Sequence, residues 1–132
     1  MIVIDASVLA NVVADDSADG DAARDYVRGA GELMAPDLVD VETVSVLRRR
    51  WLAKDLSAHR FRAAIEDLES LPVVRYPTLP LMRRAYELRA NVTAYDAAYV
   101  ALAEVLACPL VTADERLAKA PGPVCAIDVL RS

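Results

Sequence analysis

Short runs of apolar residues alternate along this chain with longer segments in which apolar residues recur every three or four positions. The short runs predict buried β-strands and the longer segments predict helices. The predicted strands are residues 2–5, 32–35, 73–76, 109–112 and 124–129. The predicted helices are residues 7–14, 20–29, 37–54, 57–71, 79–90, 93–107 and 115–120.

Such an alternation is typical of parallel strands joined by right-handed helical crossovers. We therefore expect an α/β fold with one parallel sheet of four or five strands and helices on both of its faces. The length of 132 residues predicts one domain, and no repeat, linker or low-complexity segment divides the sequence. The predicted domain is the whole chain, residues 1–132.

Charge and composition exclude some classes of function. The chain has 15 basic and 20 acidic residues, so its net charge of −5 argues against a passive, charge-driven nucleic-acid binder. The charge does not argue against an enzyme that binds phosphate through a metal ion, because the side chains that bind such an ion are themselves acidic. Two cysteines are too few for a disulfide scaffold or a zinc site. Without a leader or an 18-residue apolar stretch, the sequence predicts a soluble, cytoplasmic protein with no membrane association.

Four carboxylates are predicted to lie at one edge of the sheet. Asp5 and Asp114 follow predicted strands, and ligands of open α/β sheets bind beyond the carboxyl ends of the strands. Glu42 interrupts an apolar stripe of its helix, and Asp96 begins a helix that is apolar nearly all round. These two side chains are therefore expected to face other protein groups rather than open water.

Each carboxylate also has a simpler explanation. Asp5 and Asp114 can cap the helices that follow them, and Thr93 with Asp96 fits a capping box. Glu42 can pair with an arginine. None of these explanations accounts for four acids from four separate segments at one sheet edge.

Clustered carboxylates repel one another and resist burial, so they need a compensating cation. An all-oxygen set suits Mg²⁺ or Mn²⁺ rather than zinc. Ser7 and Thr112 each lie two residues from one of the acids, Asp5 and Asp114. These hydroxyls either support the metal site by orienting its ligands or waters, or act as local helix caps.

Four segments resemble the PIN-domain ribonucleases, and most of all the VapC toxins of bacterial VapBC toxin–antitoxin pairs. They are "IVIDASVLANVV", "APDLVDVETVSVLRR", "TAYDAAYVALAE" and "PLVTADERL". The resemblance covers essentially the whole chain, and its most specific part is "YDAAYVALAE" followed by "LVTADERL". The positions that match the family's acidic catalytic and metal-binding residues are Asp5, Glu42, Asp96 and Asp114, and Ser7 and Thr112 match its accessory hydroxyl residues.

Two positions depart from the family pattern. Ser45 stands where many relatives have asparagine, and Arg116 stands where some PIN proteins carry a further aspartate. Because of the second departure, the sequence is compatible with either one or two bound metal ions.

The resemblance implies an endoribonuclease toxin that depends on Mg²⁺ or Mn²⁺ and cleaves structured RNA, either tRNA or rRNA. The implied products carry a 5′-phosphate and a 3′-hydroxyl. It also implies a VapB-type antitoxin, a homodimer and a toxin–antitoxin hetero-oligomer. A non-catalytic interaction module on the same fold is the alternative, because fold does not determine function.

A basic run ends the third predicted helix. Arg48, Arg49 and Arg50 are predicted to bind RNA through its phosphates. The alternative is a solvated helix end, since the helix dipole favours basic residues near a C-terminus.

Overall fold

The computed structural model describes residues 1–130 and contains one five-stranded parallel sheet. The strands are β1 (Ile2–Ile4), β2 (Leu33–Pro36), β3 (Val73–Tyr76), β4 (Leu110–Thr112) and β5 (Ile127–Val129). Their order across the sheet is β3-β2-β1-β4-β5, and every neighbouring pair is parallel. The predicted fold class is confirmed. The predicted domain end at residue 132 lies outside the described residues.

Helices occupy the connections between the strands. They are α1 (Ala6–Ala14), α2 (Ala18–Ala30), α3 (Val39–Leu52), α4 (Ala58–Ser70), α5 (Met82–Leu88), α6 (Ala94–Leu106) and α7 (Glu115–Lys119). Helix α1 packs against α2, α3 and α4, whereas α6 packs against α5 and lies on β1 and β2. Within residues 1–130, none of these helices is both long and apolar enough to cross a membrane.

The order of the connections predicts where a ligand can bind at the sheet. From β1 to β3 the chain moves toward one edge, and after β3 it returns across the sheet to β4 on the other side of β1. Right-handed crossovers therefore place the two groups of helices on opposite faces. The direction of winding changes between β1 and β4, which is the usual position of a ligand cleft in such folds.

The third helix begins later than predicted. Pro36 belongs to β2, and α3 begins at Val39, two residues after the predicted start at residue 37. The Asp37 backbone N–H donates to the Tyr76 carbonyl at 2.7 Å, and its carboxylate accepts from the Thr78 hydroxyl at 2.6 Å. The prediction that Asp37 starts this helix is wrong, because its polar groups join β2 to the end of β3 instead.

The predicted helix 79–90 is also divided. Residues Leu79–Leu81 form a short 3₁₀ helix, and α5 begins only at Met82. Pro80 lies in this tight turn, where its missing N–H costs nothing.

The last strand is three residues shorter than predicted. The Val124 N–H donates to Glu104 Oε2 at 2.8 Å, so it is not available to the sheet. Arg84 contacts the same carboxylate through Nε at 2.8 Å and also donates to the Gly122 carbonyl at 3.0 Å. These bonds fix the segment before β5 against α5 and α6.

One buried hydroxyl gives a stability prediction. Thr43 on α3 is fully buried, and its Oγ1 has no hydrogen-bond partner among the described residues. Replacing an unsatisfied buried hydroxyl by a methyl group of the same shape removes a desolvation cost. We expect Thr43→Val to raise the free energy of unfolding by about 1 kcal/mol, measured by urea denaturation.

Thr112→Val is the matched control, because the Thr112 hydroxyl is buried but donates to Asp5 and accepts from the Asp114 N–H. This variant is expected to lower the free energy of unfolding. Destabilisation by Thr43→Val would contradict the assignment of an unpaired hydroxyl.

Candidate functional site

All four predicted carboxylates line one cavity at the carboxyl end of β1 and β4. Its volume is about 440 Å³, and its lining residues are Asp5, Ala6, Ser7, Glu42, Ser45, Val46, Arg49, Tyr95, Asp96, Tyr99 and Asp114. Asp5 follows β1, Glu42 lies on α3, Asp96 lies in the first turn of α6 and Asp114 follows β4. The fold thus brings four separate segments of the chain to one place.

Asp5 is the most deeply buried of the four, with 7% of its surface exposed. Its Oδ1 accepts from the Ser7 hydroxyl at 2.6 Å and from the Val8 N–H at 3.2 Å, and its Oδ2 accepts from the Thr112 hydroxyl. Burial raises the pKa of this carboxyl, although the hydrogen bonds oppose that rise. Asp5 is therefore both the N-cap of α1 and a carboxylate that is costly to keep charged.

The two hydroxyl residues join the ends of neighbouring strands. Ser7 donates to Asp5 and accepts from the Ala113 N–H at 3.1 Å. Thr112 donates to Asp5 and accepts from the Asp114 N–H at 3.1 Å. They hold the segment after β4 against the segment after β1, which fixes Asp5 and the backbone of Asp114 relative to each other.

Glu42 accepts a hydrogen bond from a tyrosine of α6. Tyr99 Oη donates to Glu42 Oε1 at 2.6 Å, and the Tyr99 side chain is 1% exposed. Burial raises the pKa of Glu42, and the charges of Asp96 and Asp5 raise it further. The pKa of Tyr99 is also raised, first by burial and then by Glu42, so the phenol remains a proton donor to this carboxylate.

Asp96 and Asp114 are half-buried, and their negative charges repel each other. Burial raises the pKa of Asp96, and the negative charge of Asp114 adds to this effect. The Asp96 N–H donates to the Thr93 hydroxyl at 3.2 Å, which is the predicted helix cap. Asp114 caps α7 by accepting from the Arg116 N–H at 2.9 Å. Asp114 thus caps α7 as predicted, and the Thr93 half of the predicted capping box is present. Capping leaves the crowding of charge unexplained.

The donor set fits a hard divalent cation. It contains carboxylate and hydroxyl oxygens, which are the ligands that Mg²⁺ and Mn²⁺ prefer, and it contains no imidazole or thiolate. Burial raises the pKa of Asp5, Glu42 and Asp96, and neighbouring carboxylates raise it further, so a bound cation would stabilise their charged forms. In residues 1–130 no group of three His, Cys, Asp or Glu side chains is already arranged to hold a metal.

Comparison with known proteins identifies the family. The model of the PIN domain matches residues 2–123. VapC ribonuclease Mb0985 of Mycobacterium bovis is 44% identical over 130 residues, which cover 98% of each chain. This chain belongs to the PIN-domain family, in its VapC branch.

Two solved structures share the PIN fold. Mycobacterium tuberculosis VapC20, a sarcin-ricin loop cleaving toxin, superposes with a TM-score of 0.71 at 19% identity and matches 90% of this chain and 94% of its own. VapBC2 from Rickettsia felis, bound to a DNA fragment from its promoter, gives a TM-score of 0.66 at 12% identity and covers 98% of both chains. At these identities the two structures support the fold alone.

The three predicted RNA-binding arginines of this PIN domain point to different surfaces. Successive residues of a helix are about 100° apart, so three in a row cannot share a face. Only Arg49 lines the carboxylate cavity. Arg50 lines a neighbouring cavity and donates to Asn11 Oδ1 at 2.7 Å, whereas Arg48 lies on an exposed apolar face of α3.

The two departures from the PIN pattern are both close to the site. Ser45 is exposed and lines the carboxylate cavity. The Arg116 side chain is 94% exposed, and its Nε lies 3.5 Å from Asp114 Oδ1. The Arg116 guanidinium therefore brings a positive charge next to Asp114.

Sequence reasoning missed the two tyrosines of the site, Tyr95 and Tyr99. Tyr99 follows Asp96 by three residues, so both lie on the same side of α6. That spacing was a usable signal for Tyr99. Its bond to Glu42 joins positions 57 residues apart and could not be read from local pattern.

Proposed function

We propose that this protein is a metal-dependent endoribonuclease toxin that hydrolyses RNA phosphodiester bonds with Mg²⁺ or Mn²⁺. The observation that carries the proposal is the cavity lined by four carboxylates, three of which have a pKa raised by burial. Enzymes place such perturbed groups where they act on a substrate or a metal. The name of the Mycobacterium bovis relative, a VapC ribonuclease, supports RNA as the substrate.

Asp5, Asp96 and Asp114 would hold the cation. A bound divalent ion of this kind polarises the phosphate and lowers the pKa of water. Ser7 and Thr112 keep the Asp5 carboxylate in place through their hydrogen bonds.

Glu42 would hold the attacking water. Tyr99 occupies its Oε1, which leaves Oε2 to accept a proton. The water oxygen attacks phosphorus in line, its proton passes to Glu42, and the bond from phosphorus to the 3′-oxygen breaks. The leaving oxygen takes a proton from solvent, so the products carry a 5′-phosphate and a 3′-hydroxyl. The raised pKa of Glu42 makes this carboxylate a stronger base than an exposed one.

The biological setting belongs to the same proposal. We infer that the target is a structured RNA, either tRNA or rRNA, and that a VapB-type antitoxin blocks the cavity in the cytoplasm. A cationic antitoxin side chain would satisfy the same crowded carboxylates as a metal ion. A homodimer and a toxin–antitoxin hetero-oligomer are expected assemblies.

The direct test incubates the purified protein with total RNA in Mg²⁺, in Mn²⁺ and in EDTA. We expect cleavage only with a divalent cation, at a small number of sites, with 5′-phosphate and 3′-hydroxyl ends mapped by sequencing. Cleavage in EDTA, or ends with a 2′,3′-cyclic phosphate, would contradict metal-assisted hydrolysis by water. No cleavage with either ion would favour the non-catalytic interaction module.

The arrangement of the arginines gives a second prediction. Arg49 lines the site and is expected to contact an RNA phosphate, whereas Arg48 does not line this cavity. The slope of log K against log salt concentration is negative, and each lost phosphate contact lowers its magnitude by roughly 0.7 to 0.9. We expect this decrease for Arg49→Gln and none for Arg48→Gln, measured by RNA binding in an Asp96→Asn background that leaves RNA intact. Equal slopes for the two variants would contradict the assignment.

A further inference from the structure

We propose that the carboxylate cavity contains a base-binding subsite in which an unpaired RNA base next to the scissile phosphate stacks on Tyr95. This inference rests on the proposed RNA hydrolysis and adds a specificity-determining residue to it. Tyr95 lines the same cavity as the four carboxylates and directly precedes Asp96 in the first turn of α6.

The Tyr95 side chain contributes little to the packing of the fold. It is 66% exposed, although the residues that follow it, 97–103, are all buried. Tyr99, the other tyrosine of α6, is buried and bonded to Glu42. Within residues 1–130 the Tyr95 hydroxyl makes no hydrogen bond and its ring contacts no cation. Both its ring face and its hydroxyl are therefore available to a ligand.

The surroundings of Tyr95 define the chemistry of that ligand. The cavity offers carboxylates for a metal-bound phosphate, a cationic guanidinium from Arg49 and the flat apolar ring of Tyr95. A nucleotide combines a phosphate and a flat base within one residue. At about 440 Å³, the cavity is within the size range of small-ligand pockets. Aromatic side chains bind nucleic-acid bases by stacking, and every base has a face that can stack.

The stacking also restricts the kind of RNA that can be cut. A base in a continuous A-form helix is already stacked on both sides, so it cannot lie on a protein ring unless it leaves the helix. The subsite therefore selects a loop, a bulge or another unpaired position as the cleavage site. Selection depends on the unpaired state of the base more than on its identity.

The test uses a short RNA that spans a cleavage site mapped in total RNA. In one set of substrates the base on each side of the cut is removed in turn, which leaves an abasic ribose. We expect one of these substitutions to lower kcat/KM of the native protein by about 10- to 100-fold. The same substitution should cost less than about threefold in Tyr95→Ala, because the stacking partner is already lost.

Two variants separate stacking from other effects. Tyr95→Phe keeps the ring and is expected to retain the native kcat/KM. Tyr86→Ala is the matched control, since Tyr86 on α5 is also 66% exposed but lies outside the cavity. Tyr95→Ala should keep the native Tm within about 2 °C, because its side chain packs little.

Three results would overturn the inference. The first is native kcat/KM in Tyr95→Ala, and the second is an equal abasic penalty in the native protein and in Tyr95→Ala. The third is a change of oligomeric state in Tyr95→Ala by light scattering, which would assign Tyr95 to a protein interface. In all three cases the native protein still cleaves RNA with Mg²⁺, so the proposed function stands. Failure of the native protein to cleave any RNA would overturn both.

Discussion

Asp96→Asn is expected to lower RNA cleavage by about three orders of magnitude while making the metal-free protein more stable. The amide keeps the size of the side chain and its place at the start of α6, but it is a poorer ligand for a divalent cation. It also removes one negative charge from a site where burial and Asp114 already raise the pKa of Asp96. Loss of activity should therefore come with a gain in stability.

The pH dependence of that gain follows from the direction of the pKa shift. A carboxyl with a raised pKa in the folded state favours folding when it is protonated, at a pH below about 4. This contribution is lost as the pH rises through the folded-state pKa, so the metal-free protein loses stability toward neutral pH. We expect Asp96→Asn to flatten this decline and to raise the free energy of unfolding at pH 7 by roughly 0.5 kcal/mol, because solvent screens the repulsion at this half-buried carboxyl.

The control for Asp96→Asn is the same chemical change at Asp25. This residue lies on α2, pairs with Arg28 and has a side chain that is 71% exposed. Asp25→Asn should change neither cleavage nor stability by more than a small amount. The native protein should also gain Tm in millimolar Mg²⁺, and Asp96→Asn should not. Retained cleavage in Asp96→Asn would refute the role of this carboxylate.

Glu42→Gln is expected to lower kcat by about 10² to 10⁴, the usual range for loss of a general base. The amide can still accept the hydrogen bond from Tyr99, but it cannot take a proton from water. If Glu42 holds the water rather than the metal, the variant should keep the Tm rise that Mg²⁺ gives the native protein. Single-turnover cleavage and thermal unfolding measure the two effects separately.

Tyr99→Phe is the companion variant. It leaves the Glu42 carboxylate in place but removes the donor to its Oε1, so we expect a smaller loss of about tenfold. A larger loss in Tyr99→Phe than in Glu42→Gln would contradict the base assignment. Loss of the Mg²⁺-dependent rise in Tm in Glu42→Gln would make Glu42 a metal ligand.

Strand ends were the most informative signal in the sequence. Asp5 and Asp114 could be placed at one edge because parallel strands end on the same side of the sheet, and β1 and β4 are indeed neighbours. Glu42 and Asp96 could be placed because each breaks an apolar helix pattern. These arguments depend on local periodicity, which sequence reports well.

Long-range hydrogen bonds account for what the sequence did not reveal. The predicted start of α3 was wrong because Asp37 bonds to the end of β3. The predicted length of β5 was wrong because Glu104 binds the Val124 N–H. The three arginines were grouped by adjacency in sequence, whereas helix geometry points Arg49 alone at the cavity. The first two cases depend on distant hydrogen-bond partners that local sequence does not specify, whereas the third follows from the angle of about 100° between successive helix residues.

The most direct measurement of the central claim is anomalous X-ray scattering from crystals of the protein soaked in Mn²⁺. The account predicts a Mn²⁺ peak inside the carboxylate cavity, with oxygen ligands from Asp5, Asp96 and Asp114 and with Glu42 within reach of a bound water. The same soak of Asp96→Asn crystals should give no peak there. A native crystal with no Mn²⁺ in this cavity at saturating concentration, or with Mn²⁺ only at surface carboxylates, would contradict the account.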